Sequence, residues 1–219
     1  WGFPIPIIFT LVLNEVRSAW YKRLVQSVSF LPFFIATVVV IGMVRMLLSA
    51  DGVVNRILLD TFGERINFLG SPARFRTIYI GSEIWQVTGY YAVLYLAALS
   101  RVDPHLYEAA DMDGANRWQR MWNISLPGIM PMISVLFILS LGRVVSIGFE
   151  RVFLLYNPAT YETADVIATY VYRRGVIGRN FGYATAVGMF NSVIALILTV
   201  AANSFLKRIG NKETTTTLW

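Results

Sequence analysis

The sequence predicts an all-α protein that crosses a membrane several times, and three observations carry that expectation. Of 219 residues, 56% are hydrophobic and only 15% charged, and a mean hydropathy of +0.56 is high for a soluble domain. Apolar runs of about 20 residues, the length that crosses a bilayer as a helix, recur between more polar stretches. Between two such runs lies EAADMDGANRWQRMWNISLP, Glu108 to Pro127, which reads as two short helices joined by a sharp turn.

The same composition excludes most chemistry. There is no cysteine, hence no disulfide, thiolate metal site or cysteine nucleophile, and a single histidine cannot build a multi-histidine metal centre. No phosphate-binding glycine loop, dinucleotide turn or metalloprotease pair is present, so the chain is not expected to be an enzyme or to hold a cofactor or metal. The net charge of +6 comes from arginines scattered among apolar spans, which suits anionic headgroups better than nucleic acid.

Taken in order, Phe3 to Leu13 is apolar but about half the length of a span. Asn14 to Ser29 is amphipathic, with Arg17, Lys22 and Arg23 against Trp20, Tyr21, Leu24 and Val25, and reads as an elbow on the membrane surface. Phe30 to Ser49 is the first span of full length, with Pro32 in its first turn. Asp51 to Arg76 is a polar connection containing a short helix over Val53 to Phe62. Ile78 to Leu99 is the second span, and its Glu83 is either a functional intramembrane carboxylate or one placed where the first turn of a helix favours it. Its Trp85, Tyr90, Tyr91 and Tyr95 form an aromatic stripe that serves either packing or a polar path. Gly128 to Ile147 is the third span, with Gly142 and Ser146 as a small pair beside Arg143. Gly148 to Tyr183 connects it, through a helix over Ala164 to Arg174, to a last span over Ala184 to Leu206. There Asn191 and Asn203 either bond neighbouring helices or line a path, and Lys207, Arg208 and Lys212 open a basic tail.

Within the central stretch, Asp103 and Pro104 make a helix start. Leu106, Ala109 and Ala110 then share a face of little bulk, and Gly114 permits a turn with positive φ. A second helix begins at Asn116 with Trp118, Met121 and Trp122 on one side and Asn116, Arg117, Arg120 and Asn123 on the other, as for a helix lying along a membrane surface. Leu126 and Pro127 end the loop.

These residues resemble the cytoplasmic signature loop of the permease subunits of binding-protein-dependent ABC importers. That pattern is Glu-Ala-Ala, three residues, Gly, nine residues, then Ile-x-Leu-Pro, and Glu108, Ala109, Ala110, Gly114, Ile124, Leu126 and Pro127 occupy each fixed position. Asp113 and Ala115 flank the glycine in the same loop. Ile66 to Gly70, Gly148 to Glu150 with Asn157-Pro158, and Ala164 to Arg173 resemble the oligosaccharide branch, so the likeness covers essentially the whole chain as one permease domain with a coupling loop at about residues 100–127.

The resemblance implies a type I importer permease fold in the bacterial plasma membrane, and a further N-terminal span with an external loop ahead of Trp1. It implies that the chain forms half of a path for an oligosaccharide, while ATP is bound elsewhere. The partners would be two copies of an ATP-binding subunit, a second homologous permease, an extracytoplasmic solute-binding protein and the lipid bilayer. Trp85, Tyr91, Tyr95 and Asn191 are the candidates for the substrate path. The basic residues divide almost evenly between the two sides, so the orientation rests on the resemblance. The signature loop is shared across substrates, which leaves amino-acid or phosphate permeases as alternatives, and a non-transporting helical scaffold is the rival from another class.

Overall fold

The computed structural model describes the backbone of residues 2–144 and 148–209, and the side chains of 2–141 and 148–204. The side chains of Gly142, Arg143 and Ser146 and the basic tail lie outside these. Among the described residues all regular structure is helical. Three stretches are long and apolar enough to cross a membrane: Thr37–Phe62, Arg117–Leu141 and Phe181–Ser204. The chain divides into two compact units, Trp1–Phe33 with Val87–Arg143 and Leu196–Trp219, and Phe34–Gln86 with Val144–Ala195.

Helix α1 (Pro4–Asn14) starts on a proline, where no N–H is needed. Ser18 caps α2 (Ala19–Phe30), its Oγ accepting from the Tyr21 N–H, and no side chain of this elbow is buried. The span expected over Phe30 to Ser49 is interrupted. A 3₁₀ turn covers Leu31–Phe34, the chain bends at Ile35 and Ala36, and α3 runs only over Thr37–Leu48. Pro32 offers no N–H, and the carbonyl freed at Ile35 accepts from Gln86 Nε2 at 2.8 Å. The 12 residues of α3 rise about 18 Å, short of a hydrocarbon core, so Thr37–Phe62 reaches spanning length only when α4 (Val53–Phe62), into which the chain turns at Gly52, is counted with it.

Helix α5 (Pro72–Leu99) has 28 residues, about 42 Å, and starts earlier than the expected Ile78. It has the length to span but is absent from the three apolar stretches, since Ser82, Glu83, Gln86, Thr88 and its tyrosines dilute the hydropathy. The earlier start also puts Glu83 in the helix interior, so the first-turn argument for this carboxylate fails; its charge interacts instead with Arg151.

The loop helices α6 (Pro104–Met112) and α7 (Arg117–Arg120) come next, followed by α8 (Leu126–Val144). The connection after it contains α9 (Phe149–Leu155), α10 (Tyr161–Ala164) and α11 (Ile167–Val171), and α12 (Phe181–Ile209) is the last span. The helix expected over Ala164 to Arg174 breaks at Asp165 and Val166 and resumes at Ile167. The Asp165 carboxylate accepts from Thr169 Oγ1 at 2.6 Å and pairs with Arg173, whose guanidinium lies 4.8 Å from the Tyr161 ring centre. The Arg173 hydrogen bond holds the Asp165 carboxyl below its usual range.

Each unit has its own core. In the first, Leu11, Tyr95, Leu99, Met121 and Ile129 pack together. Here α5 meets the end of α2 at Gly89, where a Cβ would stand 2.0 Å from the Ser29 carbonyl oxygen. In the second, Ile41, Phe75, Val152, Leu155 and Ala164 form the core, beside a buried polar network. Arg151, itself buried, donates to Ser82 Oγ at 3.0 Å and to Gln86 Oε1. Three side chains pin the segment before α5: Asn55 Nδ2 donates to the carbonyls of Ser49 and Ile66, Asn157 Nδ2 to that of Leu69, and Thr163 Oγ1 to that of Pro72. The three sequence stretches that resemble the oligosaccharide branch thus meet within one unit.

Three outcomes are expected. Gly89→Ala should lower the melting temperature of the detergent-solubilised protein, since the neighbour is backbone and overpacking costs about 1–3 kcal/mol. Gly81→Ala in the same helix, with open space around it, should leave the temperature unchanged or raise it. A depressed carboxyl contributes stability that is present above its unfolded value and lost as pH falls through the folded one. Acidification from about pH 5 to about pH 3 should therefore destabilise the parent more than Asp165→Asn, read as the difference in thermal shift.

Candidate functional site

The loop from Asp103 onward is built from local chemistry. The Asp103 carboxylate accepts from the His105 N–H at 3.0 Å and Pro104 takes the first helical position of α6. No side chain of α6 is buried. Glu108 is 71% exposed and its partner within the chain is His105 Nδ1 at 3.1 Å, on the same helix. Ala109 beside it is exposed and Ala110 half-buried, so the face of low bulk is open.

The helix closes as a Schellman turn. Ala115 N–H donates to the Ala110 carbonyl at 2.9 Å and Gly114 N–H to that of Asp111 at 3.2 Å, with Asp113 as the last residue before the turn. Gly114 has φ +74° and open space where a Cβ would stand, so a side chain there meets backbone strain and no crowding. Asn116 then caps α7: its Oδ1 accepts from the Gln119 N–H at 2.9 Å, and Gln119 Oε1 accepts from the Asn116 N–H at 2.7 Å.

From here the structure departs from the expected surface helix. Helix α7 is not a separate surface helix; it passes through a π turn over Met121–Ser125 directly into α8. The Leu126 N–H donates to the Met121 carbonyl, and this wider ring carries the helix into Pro127, which has no N–H. Met121 is accordingly buried in the first core, although Trp118 and Trp122 stay exposed. Leu126 packs against that core, Ile124 is half-buried and Pro127 exposed. Arg120, placed by its sequence spacing on the polar outer face, turns inward. It is 18% exposed and pairs with Asp111 on α6 and, at 3.4 Å, with Glu15 at the end of α1. A second tie joins Tyr107 Oη to the buried Ser125 Oγ at 2.9 Å. The sequence carried one signal for Arg120: Glu15 and Asp111 are carboxylates at the C-terminal ends of helices, where the dipole calls for a cation.

The candidates for a substrate path separate by burial. Trp85 is 49% exposed and Tyr91 half-buried, its ring 5.4 Å from that of Tyr90. Tyr95 is 1% exposed among Leu11, Leu99, Met121 and Ile129, so its side chain packs the first core and is not open to a solute. Asn191 is half-buried, and its Oδ1 is buried without a hydrogen-bond partner.

These features first define a class, a helical membrane protein whose spans are joined by a loop that presents an exposed short helix and a glycine turn. Residues 2–211 match the model of the binding-protein-dependent transport system inner membrane component, and the chain belongs to that family, one of transport components and not of enzymes. It is 44% identical over 211 residues to the polygalacturonan/rhamnogalacturonan transport system permease protein YteP of Bacillus subtilis (strain 168), covering 96% of this chain and 66% of that relative. The chain thus spans just under two thirds of the relative's length. It also matches, with TM-score 0.93 and 47% identity over 96% of this chain and 74% of the other, a crystal structure of a bacterial ABC transporter involved in the import of the acidic polysaccharide alginate. A structure of bacterial alginate ABC transporter in complex with alginate pentasaccharide-bound periplasmic protein matches at the same score and identity, over 99% of this chain and 74% of the other.

The turn gives a sharp expectation. Gly114→Val should increase proteolytic nicking between α6 and α7 in the purified protein, because a β-branched residue at this φ costs more than the roughly 1–2 kcal/mol of an ordinary left-handed residue. Gly114→Asn, which tolerates that conformation, should stay close to the parent.

Proposed function

We propose that this chain is the permease subunit of an ABC importer, forming half of a membrane path for an acidic oligosaccharide. The loop from Glu108 to Pro127 couples that path to a separate ATP-binding subunit. The observation that carries the reading is the likeness over nearly the whole chain to transport proteins named for alginate and for polygalacturonan. Both are polymers of uronic acids.

In this reading the chain performs no chemistry. It sits in a bacterial plasma membrane with a second permease, two copies of the ATP-binding subunit and an external solute-binding protein. The open Ala109 and Ala110 face lets a cleft of the ATP-binding subunit close on α6, and the exposed Glu108 carboxylate can exchange its His105 contact for an Arg or Lys there. The Gly114 turn fixes the angle between this docked helix and α7. Because α7 continues into α8, tilting of the docked helix is delivered straight to a span, which is what alternating access requires. Along the path, Trp85 and Tyr91 offer aromatic faces to the C–H surfaces of a sugar and Asn191 an amide to its hydroxyls.

The test is reconstitution with the ATP-binding subunit, the second permease and the solute-binding protein. Hydrolysis should be stimulated by binding protein loaded with a galacturonate or alginate oligosaccharide. Equal stimulation by a neutral oligosaccharide of the same length would sink the acidic assignment. Glu108→Lys and Ala110→Trp should insert normally yet lower stimulated hydrolysis and uptake together, by at least about tenfold, as a loss of about 1.4 kcal/mol at the docking surface would give. Trp85→Leu with Tyr91→Leu should slow uptake while leaving the complex assembled; unchanged uptake would return both to packing.

A further inference from the structure

Arg120 stands where two helix ends meet. Glu15 is the residue that follows α1 and Asp111 lies in the last turn of α6, and each places a carboxylate at the negative end of a helix dipole. Neither position suits an anion by itself. The Arg120 guanidinium answers both, one terminal nitrogen contacting Asp111 Oδ1 and the other Glu15 Oε2 at 3.4 Å. Arg120 and Glu15 are each only 18% exposed, so the pair is screened less than a surface bridge, whereas Asp111 is 59% exposed.

Two further observations indicate what such a bridge does. Helix α6 buries no side chain, and among the described residues its side-chain ties to the following helix are this bridge and the Tyr107–Ser125 hydrogen bond. A helix held by so few polar contacts is free to be moved by whatever docks on it. The bridge is also incompletely satisfied: Arg120 Nε is buried with no partner, and the Glu15 contact is long. A guanidinium left with an orphan donor is held less firmly in one arrangement than a fully paired one, since an unpaired buried donor costs about 1–3 kcal/mol.

We infer that Arg120 is a positioning residue that links the loop helix α6 to the apolar helix α1, so that displacement of α6 is passed to α1 as well as along α7 into α8. This rests on the coupling role proposed above for the loop. Arginine suits the task because its planar fork reaches two carboxylates at once, whereas a lysine ammonium is a single point charge.

The test uses the assembled transporter in proteoliposomes, with a galacturonate oligosaccharide as cargo, measuring uptake and ATP hydrolysis in the same preparation. Arg120→Gln should keep the ATP-binding subunit and its hydrolysis, but import per ATP should fall about fivefold or more, the low end of ordinary coupling energies. Arg120→Lys should be intermediate. Glu15→Gln should resemble Arg120→Gln, and the double variant should be no worse than either, as for two halves of one link. An unchanged ratio in both Arg120→Gln and Glu15→Gln overturns the inference. So does loss of the ATP-binding subunit from the complex in these variants, which would make the bridge a brace for docking. Glu108→Lys run alongside separates the two proposals. If it transports normally, the coupling role of the loop has failed; if it is defective while Arg120→Gln keeps the parent ratio, only the Arg120 link has.

Discussion

In a chain that lives in a bilayer, each backbone N–H and C=O must find a partner without help from water, and the rest of this structure depends on that constraint. Continuous helices meet it by themselves. The informative places are those where the helix is broken and a side chain supplies the missing bond. At Ile35, between the 3₁₀ turn and α3, the carbonyl is satisfied by Gln86. Before α5, Asn55, Asn157 and Thr163 take up the carbonyls of the connecting segment. Ahead of Pro127 the ladder widens to a π turn and the helix runs on unbroken.

The same economy explains why α5 is the most polar long helix. Gln86 uses both ends of its amide, donating to Ile35 and accepting from Arg151, and Ser82 receives the other terminal nitrogen of that arginine. A buried guanidinium is tolerable only when hydrogen-bonded, and here two neutral acceptors, Ser82 Oγ and Gln86 Oε1, meet that need. Residues that dilute the hydropathy of α5 are therefore those that hold the second unit together.

The loop shows a different balance. Its shape comes from contacts a few residues apart: the Asp103 cap, the Schellman turn at Gly114 and the Asn116–Gln119 box. None of these needs the body of the protein, so α6 keeps its form with no side chain buried. An element rigid in itself and lightly attached is what a lever needs, and the attachments it does have, at Ser125 and Arg120, lead toward α8 and α1.

The sequence by itself determined whatever depends on neighbours along the chain. Helical class, the last span, the cap at Asp103, the positive φ at Gly114 and the start at Asn116 all follow from periodicity and short-range chemistry, and the signature spacing at Glu108 to Pro127 pointed to the family. Tertiary structure decided the features whose partners are distant. Phe30 to Ser49 breaks because a glutamine from another helix can satisfy Ile35; Tyr95 is core because α1 and α8 close over it; Arg120 turns inward because a carboxylate 105 residues earlier awaits it. A π turn that rotates Met121 into the core is a difference of one residue in hydrogen-bond register, which a pattern with a period of 3.6 does not register.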